Sequence, residues 1–584
     1  MKSFASLVLI LLAGSLVAQD KTKMGPADAI FINGNIWTGT WFAYPSRTWT
    51  HAQALAVKGD RILAVGTNDE IKKLKGSKTT VVDLGGRFVM PGFNDAHLHL
   101  SAGGFEKMQV NLIGTKSLAE MKQRIADQVK AVAPNEWLLG RGWDHTKWAE
   151  QVLPTRQDLD AVTGAHPALF GRVDGHISVV NSAALKLAGI DRNTRPPSGG
   201  KIDVDAQGEP TGILRESAVA LVGSKVPRPT PSQVRKAMEI ALADAAQWGL
   251  TSVQSQMLDN REWDDFLTCE DLEREGKLTA RVNMWLPFDL DVAKLQQWRA
   301  HHSASDPMLH TGMLKAYMDG SLGSRTAAMR EPFTDDPGNK GLSQWDQSKL
   351  NQMAAERAEA GFQLGFHAIG DRGADMALNG FAEAQRAVRE HDQSRSRPEP
   401  RNRIEHDQVI EPDQFAKYKE LGVIASVQPN HLLTDMYWAE GHIGPERAKT
   451  SYPWHDFEKN GIKLAFGTDY PVEPLTPFRG VYAAVTRKSE DGTREYYPEQ
   501  KLTIDEALAA YTGGSAYAEY TEREKGQLVA GMLADFVVLD RDLTKIDPKE
   551  ILGTKVLRTV VGGETVYERR RTEDRVNRRT TKEP

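Results

Sequence analysis

The sequence predicts an α/β protein built on a parallel (β/α)8 barrel, with β-rich segments at both ends of the chain. Between residues 89 and 525, helical stretches closed by glycine alternate with short apolar runs, the pattern of parallel βα units. The apolar runs that read as strands number eight, as a closed barrel requires. Outside this region, short runs rich in branched and aromatic residues are separated by turn signals and show no helical period.

The chain opens with Met1 and Lys2, then an apolar stretch over residues 4–17 that closes at Ala18 before Gln19 and Asp20. This reads as a signal peptide over residues 1–18, too short to span a membrane comfortably. An uncleaved anchor is the alternative, but no stop-transfer flank follows. No cysteine follows the apolar run either, which argues against a lipoprotein. The expected mature chain starts near Gln19 and is exported, periplasmic or secreted.

Next come AIFINGNIWTG, AQALAVKGDRILAVG and TVVDLGGRFVMPG, and near the other end LADFVVLDRD and VLRTVVGGETVYE. Residues 27–88 and 526–567 therefore read as strands of small sheets. By pattern alone they either pair into one domain or stand as two unrelated segments. The eight barrel candidates, over 89–525, are RFVMPGFNDAH, LTSVQSQ, ARVNMWLPF, MLKAYMD, FQLGFHA, NRIEHD, VIASVQP and KLAFGTD. A long insertion, about 101–230, separates the first two. Helices end at Gly361 and Gly422, and the Ser/Thr-x-x-Glu pairs Ser117/Glu120 and Thr503/Glu506 mark two helix starts. Residues 568–584 are charge-dense and read as a solvated tail.

Composition narrows the class. With 40% apolar and 26% charged residues the chain buries a large core, which excludes disordered and collagen-like proteins. A net charge of −5 gives no reason to expect nucleic acid or an anionic membrane as partner. The expected partner is a small-molecule substrate, with no membrane after leader removal and room for a homodimer. The single cysteine, Cys269, excludes an internal disulfide and reads as a partly buried thiol without chemistry.

The strongest local signal is Asp95-Ala96-His97-Leu98-His99 at the end of the first barrel strand. Residues i and i+2 share a strand face, so both imidazoles can hold one metal ion, and imidazole suits zinc. His367, His406 and Asp469 each end a later strand. In a barrel those ends converge on one rim, where active sites lie. Lys315 ends the fourth strand; as a carbamate, formed from its neutral amine and carbon dioxide, it would offer two oxygens to metal ions. An ordinary charged lysine at the barrel mouth is the alternative.

The segments PGFNDAHLHL, FHAIGD, RIEHD and GTDYPV resemble those of the amidohydrolase superfamily of metal-dependent hydrolases. GRGWD, RVDGHISVVNSAAL and LKAYMDGSLGSRTA narrow the resemblance to its YtcJ-like subgroup, amidohydrolase family 3, which includes N-substituted formamide deformylase. The resemblance covers nearly the whole mature chain. It implies a composite β-sandwich built from both chain ends beside the barrel. It also implies a divalent metal centre, zinc in one or two ions. His97 and His99 would hold the more buried ion, His367 and His406 the second, with Lys315 bridging as a carbamate and Asp469 beside the attacking water.

Such a site lowers the pKa of bound water from 15.7 towards about 7. Asp469 would take the proton of the attacking hydroxide's parent water and return it to the leaving amine. The expected reaction is cleavage of a carbon-nitrogen bond in a non-peptide amide or N-substituted formamide. The alternatives are ester or lactone hydrolysis on the same metal site, or a binding protein on a retired barrel. Trp143, Asp144, His176, Asn181, Asp319 and Arg325 are loop residues expected to line the substrate pocket. Of these, His176 is placed near the site by the resemblance. No other histidine is assigned as a ligand.

Overall fold

The computed structural model describes residues 25–570 apart from 40–50, 131, 134, 173–176, 198–199, 258–262 and 392–399. The expected leader, residues 1–18, and nearly all of the charged tail lie outside the described residues. Eight strands form the barrel: β1 (Phe93–Leu98), β2 (Leu250–Gln256), β3 (Arg281–Pro287), β4 (Leu309–Tyr317), β5 (Leu364–Ala368), β6 (Arg403–His406), β7 (Ile424–Val427) and β8 (Leu464–Phe466). Each pairs in parallel with the next. All eight overlap the apolar runs picked out in the sequence, the fourth starting four residues earlier, at Leu309.

The strands read as near-continuous apolar runs because helices outside and side chains inside bury both faces; every residue of β2, β3, β5, β6, β7 and β8 is buried. Closure comes from the segment following β8. Asp469 donates its backbone N–H to the His97 carbonyl at 2.7 Å, and His99 donates to the Tyr470 carbonyl at 2.7 Å. Closing the barrel thus places Asp469 against the His97/His99 pair.

The helices obey local rules. Pro231–Gln247 starts with a Thr230/Gln233 capping box and proline in its first turn. Gln414–Leu421 stops at Gly422, which takes the left-handed conformation. Thr503 and Glu506 form the expected box. At Ser117 only half forms: its hydroxyl accepts from the Glu120 amide, while the Glu120 carboxylate accepts from the Lys116 amide and Arg124.

The two β-rich ends share one sheet, in the order Glu564–Glu568, Val556–Val561, Phe536–Leu539, Phe88–Pro91, Asn35–Trp37, His51–Ala52. A four-stranded sheet, Arg61–Gly66, Ala54–Lys58, Ala27–Ile32 and Lys75–Asp83, lies against it. Phe31, Leu55 and Val57 of the smaller sheet share one buried cluster with Ile36, Phe536 and Val560 of the larger. The run expected as the first barrel strand is divided at Gly92: Phe88–Pro91 belongs to the sandwich, and the barrel begins at Phe93. A Cβ at Gly92 would fall 2.1 Å from the Thr251 side chain, so the crossing requires glycine. At the barrel base, Arg281 donates to both oxygens of Asp535, at 2.6 and 2.8 Å, a buried pair joining barrel to sandwich.

The insertion has its own six-stranded sheet, in the order Gly200–Val204, Pro210–Glu216, Ile177–Val180, Ala168–Arg172, Leu138–Trp143, Val110–Asn111. Helices Leu118–Val129, Arg156–Thr163 and Ser182–Ala188 cover it. Trp143, Trp148, Leu159 and Phe170 form its core. Among the described residues no helix is long and apolar enough to cross a membrane.

Candidate metal centre

The C-terminal ends of the strands bring His97, His99, Lys315, His367, His406 and Asp469 to the wall of one cavity of about 410 Å³. His99 Nε2 lies 3.2 Å from Asp469 Oδ1, and His97 Nε2 lies 3.5 Å from the same oxygen. Lys315 Nζ is 3.2 Å from His97 Nε2. His406 lies between two neighbours, tilted against His97 with ring centroids 4.9 Å apart and edge-on to His367 at 4.3 Å. His406, Asp407 and Asp469 hold left-handed backbone angles, φ 83°, 51° and 58°. Such conformations cost non-glycine residues about 1–3 kcal/mol each, and persist where the surroundings enforce them.

Behind His97 stands a charged support invisible to motif reading. Glu405, one residue before His406, accepts from His97 Nδ1 at 2.7 Å. Arg403, two residues earlier on the same face, donates to the other Glu405 oxygen at 2.5 Å and also reaches Gln254 and the Ala96 carbonyl. All three side chains are buried. Burial opposes ionisation of Glu405, but Arg403 and His97 hold its carboxyl down at about 2. With Nδ1–H committed to this carboxylate, the His97 Nε2 lone pair faces the cavity.

The other groups are tuned by burial. Burial, with the Lys315 charge nearby, pushes His97 down to about 4 and His367 down to about 3. Burial and the neighbouring His367 place His406 well below the ordinary histidine value. Three neutral imidazoles therefore face one space at neutral pH. Burial also lowers Lys315 to about 8, raising the share of neutral amine that carbamate formation needs. Asp469 shows the opposite balance. Burial works against its charge, yet His97, His431 and His99 hold it well below the ordinary carboxylate value.

These groups fit a divalent cation. His97, His99 and Asp469 place one donor atom each within 4.8 Å of one another, and so do His406, His431 and Asp469. The His406 Nδ1 atom is buried and lacks a hydrogen-bond partner. His97 and His406, which burial keeps neutral, together with the ionised Asp469 carboxylate are donors of the kind that zinc takes. His367, expected beside His406, has its Nε2 at 3.0 Å from the Gly320 carbonyl and 3.4 Å from Asp319.

His431 is the residue that sequence reasoning missed. It sits on the short helix Asn430–Asp435 after β7, and its Nε2 donates to Asp469 Oδ2 at 3.0 Å. Burial opposes its protonation, but the Asp469 carboxylate raises it to about 9. The signal available was position: His431 comes two residues after VIASVQP, on the helix that follows β7 at the same rim, beyond the reach of a search confined to strand ends.

The residues expected to line the pocket from the loops are placed differently. Trp143 is fully buried in the insertion and donates its indole N–H to the Phe170 carbonyl. Asp144 caps the turn His145–Lys147 and pairs with Arg172. Asn181 is the buried N-cap of Ser182–Ala188, bonded also to Ala168, Thr163 and His166. Arg325 is bound to Asp335 by two hydrogen bonds, at 3.0 and 2.6 Å. Asp319 lies under the site, accepting the backbone N–H groups of Ala328, Ile369 and Gly370. None of these five is on the wall of the cavity, and His176 lies outside the described residues. The wall is completed by Tyr317, Leu322, Ile369, Asp435, Trp438 and Val472, among others.

Comparison with known proteins agrees with this geometry. The family model described as "Amidohydrolase family" matches residues 80–567. YtcJ of Bacillus subtilis (strain 168) is 32% identical over 540 residues, which cover 91% of this chain and 99% of that protein. N-substituted formamide deformylase of Arthrobacter pascens is 27% identical over 566 residues, 93% of this chain and 98% of that one. A crystal structure of an uncharacterized metal-dependent hydrolase from Pyrococcus furiosus superposes with a TM-score of 0.73 at 30% identity, over 88% of this chain and 100% of that one. With the barrel, the flanking sandwich and the rim of histidines in place, the chain belongs to the amidohydrolase family of hydrolases.

Proposed function

We propose that this hydrolase cleaves the carbon-nitrogen bond of a non-peptide amide or N-substituted formamide. The observation that carries the reading is Asp469: an ionised carboxylate held on the wall of a small-molecule cavity that it shares with His97, His367 and His406, which burial keeps neutral. The similarity to N-substituted formamide deformylase supports the choice of bond.

His97, His99, Lys315 as its carbamate, His367, His406 and Asp469 would hold one or two divalent ions, zinc by donor chemistry. When bound, the metal supplies a Lewis acid that activates water and polarises the substrate carbonyl. The rest falls to the chain. Asp469 accepts a proton from the attacking water at a carboxylate oxygen and delivers it to the departing amine nitrogen, so one group serves both halves of the reaction. Glu405 keeps His97 in the tautomer that presents Nε2. Tyr317, Leu322, Ile369, Trp438 and Val472 give the cavity apolar walls that thin the water around the reacting bond.

The test is a screen of N-formyl and N-acyl amines alongside esters and lactones, with metal content measured on the same sample. Turnover of amides that falls on chelation and returns with zinc supports the reading. Metal-loaded protein that hydrolyses only esters or lactones overturns the assignment of the bond. Export belongs to the same proposal and rests on the apolar leader. Sequencing the N-terminus of the secreted or periplasmic protein should give a start near Gln19.

A further inference from the structure

We propose that His431 is the positioning residue that sets the orientation of Asp469. The inference rests on the hydrolase reading above. The two oxygens of Asp469 are divided between two sides of the site: Oδ1 faces His99 and His97, at 3.2 and 3.5 Å, while Oδ2 accepts from His431 Nε2 at 3.0 Å. A carboxylate tethered at one oxygen keeps the other aimed at the reacting centre. Without the tether, rotation about its side-chain bonds carries both oxygens away from that line.

His431 is itself fixed to the segment that carries Asp469. Its helix, Asn430–Asp435, is joined to the stretch after β8 by two further contacts. Thr434 Oγ1 donates to Glu473 Oε1 at 2.5 Å, and Asn430 Nδ2 donates to the Pro474 carbonyl at 3.3 Å. Arg479 holds the other Glu473 oxygen at 2.7 Å, and Tyr452 donates to Asp435 at 2.6 Å. The β7 and β8 connections therefore meet as a clamp, with the His431–Asp469 bond at its inner edge. The same hydroxyl lies 2.9 Å from the His431 carbonyl, its single proton being given to Glu473, so the outer contact of the clamp sits against the backbone of the residue that forms the inner one. A purely structural histidine would need neither a place on the cavity wall nor the catalytic carboxylate as its partner; His431 has both.

The experiment compares His431→Ala, His431→Gln and Thr434→Val with the zinc-loaded wild type. Readouts are kcat and KM on the best amide, zinc per chain, thermal midpoint and the visible spectrum of the cobalt(II)-substituted protein. His431→Ala should lower kcat about 100-fold, the scale of a misplaced reacting group, with KM and zinc content little changed and an altered cobalt spectrum. His431→Gln, which keeps a side-chain donor, should recover part of the rate and the wild-type spectrum. Thr434→Val should fall between. Unchanged kcat and spectrum in His431→Ala would overturn the proposal. Loss of zinc from both His431 variants would overturn it too, since His431 would then be a ligand. If the wild type turns over no amide, the hydrolase reading fails, while the cobalt spectra and zinc content still decide the role of His431.

Discussion

At the scale of single residues, the site works by assigning opposite charge states to neighbours a few ångströms apart. Asp469 is the residue on which turnover should depend most. Asp469→Asn keeps size and polarity but removes the proton acceptor, so kcat should fall by about 10²–10⁴-fold with zinc still bound, checked by steady-state kinetics and metal analysis. Lys315 should appear in a metal-loaded crystal as a carbamate, with density for an added carboxylate on Nζ; an unmodified side chain there would exclude the bridge. Glu405 carries the stability of the His97 support. Its carboxyl is held at about 2 in the folded protein, below its ordinary 4.5. The stabilisation is therefore complete above pH 4.5 and is lost as pH falls towards 2. His97, at about 4 against 6.5, acts in the same sense, its stabilisation being lost between those values. Glu405→Gln leaves Arg403 buried with a neutral partner. It should cost about 3–5 kcal/mol, weaken zinc binding about 10–100-fold and flatten the acid limb of a stability-against-pH curve. Urea melts across pH and zinc competition with a chelator measure all three.

Whole elements show why some side chains reached the site and others did not. Strand ends were legible because a parallel barrel has one rule for where its termini go: His97, His367, His406, Asp469 and Lys315 followed from apolar runs and their last residues. Loops have no such rule. Asn181 looked available for substrate, yet NSAALKLAG is an N-cap, a helix and a glycine stop, and the asparagine side chain is spent on the Ala184 and Ala168 amides, Thr163 and the His166 carbonyl. Asp144 is spent likewise on Thr146 and Arg172. His431 escaped because its role depends on the helix after β7 meeting the segment after β8, a contact between distant parts of the sequence. The closing turn is similarly demanding. A Cβ on Gly467 would lie 2.5 Å from the His97 backbone nitrogen and 2.9 Å from Asp95 Oδ1. Asp95 also binds the Thr468 amide and hydroxyl, at 3.0 and 2.6 Å. Gly467→Ala should therefore destabilise the protein by about 1–3 kcal/mol and lower activity more than its stability loss explains. Thermal melts alongside kcat provide the check.

For the molecule as a whole, metal binding and the sandwich add to the stability of the barrel and insertion cores. A ligand that binds only the folded state stabilises by about 4 kcal/mol at a thousand times its dissociation constant. Chelation should thus lower the melting midpoint, and zinc should restore it. The sandwich depends on both ends of the chain. Removing residues 536–570 takes away the strand that pairs with Phe88–Pro91 and the two beyond it, and strips Phe536, Val538 and Val560 from the sandwich core. Chains so shortened should aggregate on expression, read as loss of the monodisperse peak in gel filtration. Cys269 is inert in this balance: it is fully buried, and burial pushes its thiol up, so the folded protein should resist thiol reagents.

What the sequence determined by itself was everything governed by period and order. The eight apolar runs, the helix caps and glycine stops, and the residue at each strand end are local, and a parallel barrel converts that order directly into a rim. The rest depends on contacts between distant segments. The two chain ends became one sheet because Phe536–Leu539 found Phe88–Pro91. Glu405 became the support of His97, and His431 the partner of Asp469, because closing the barrel brought those side chains within hydrogen-bond reach. Periodicity says which way a side chain points, but only packing says what it meets there.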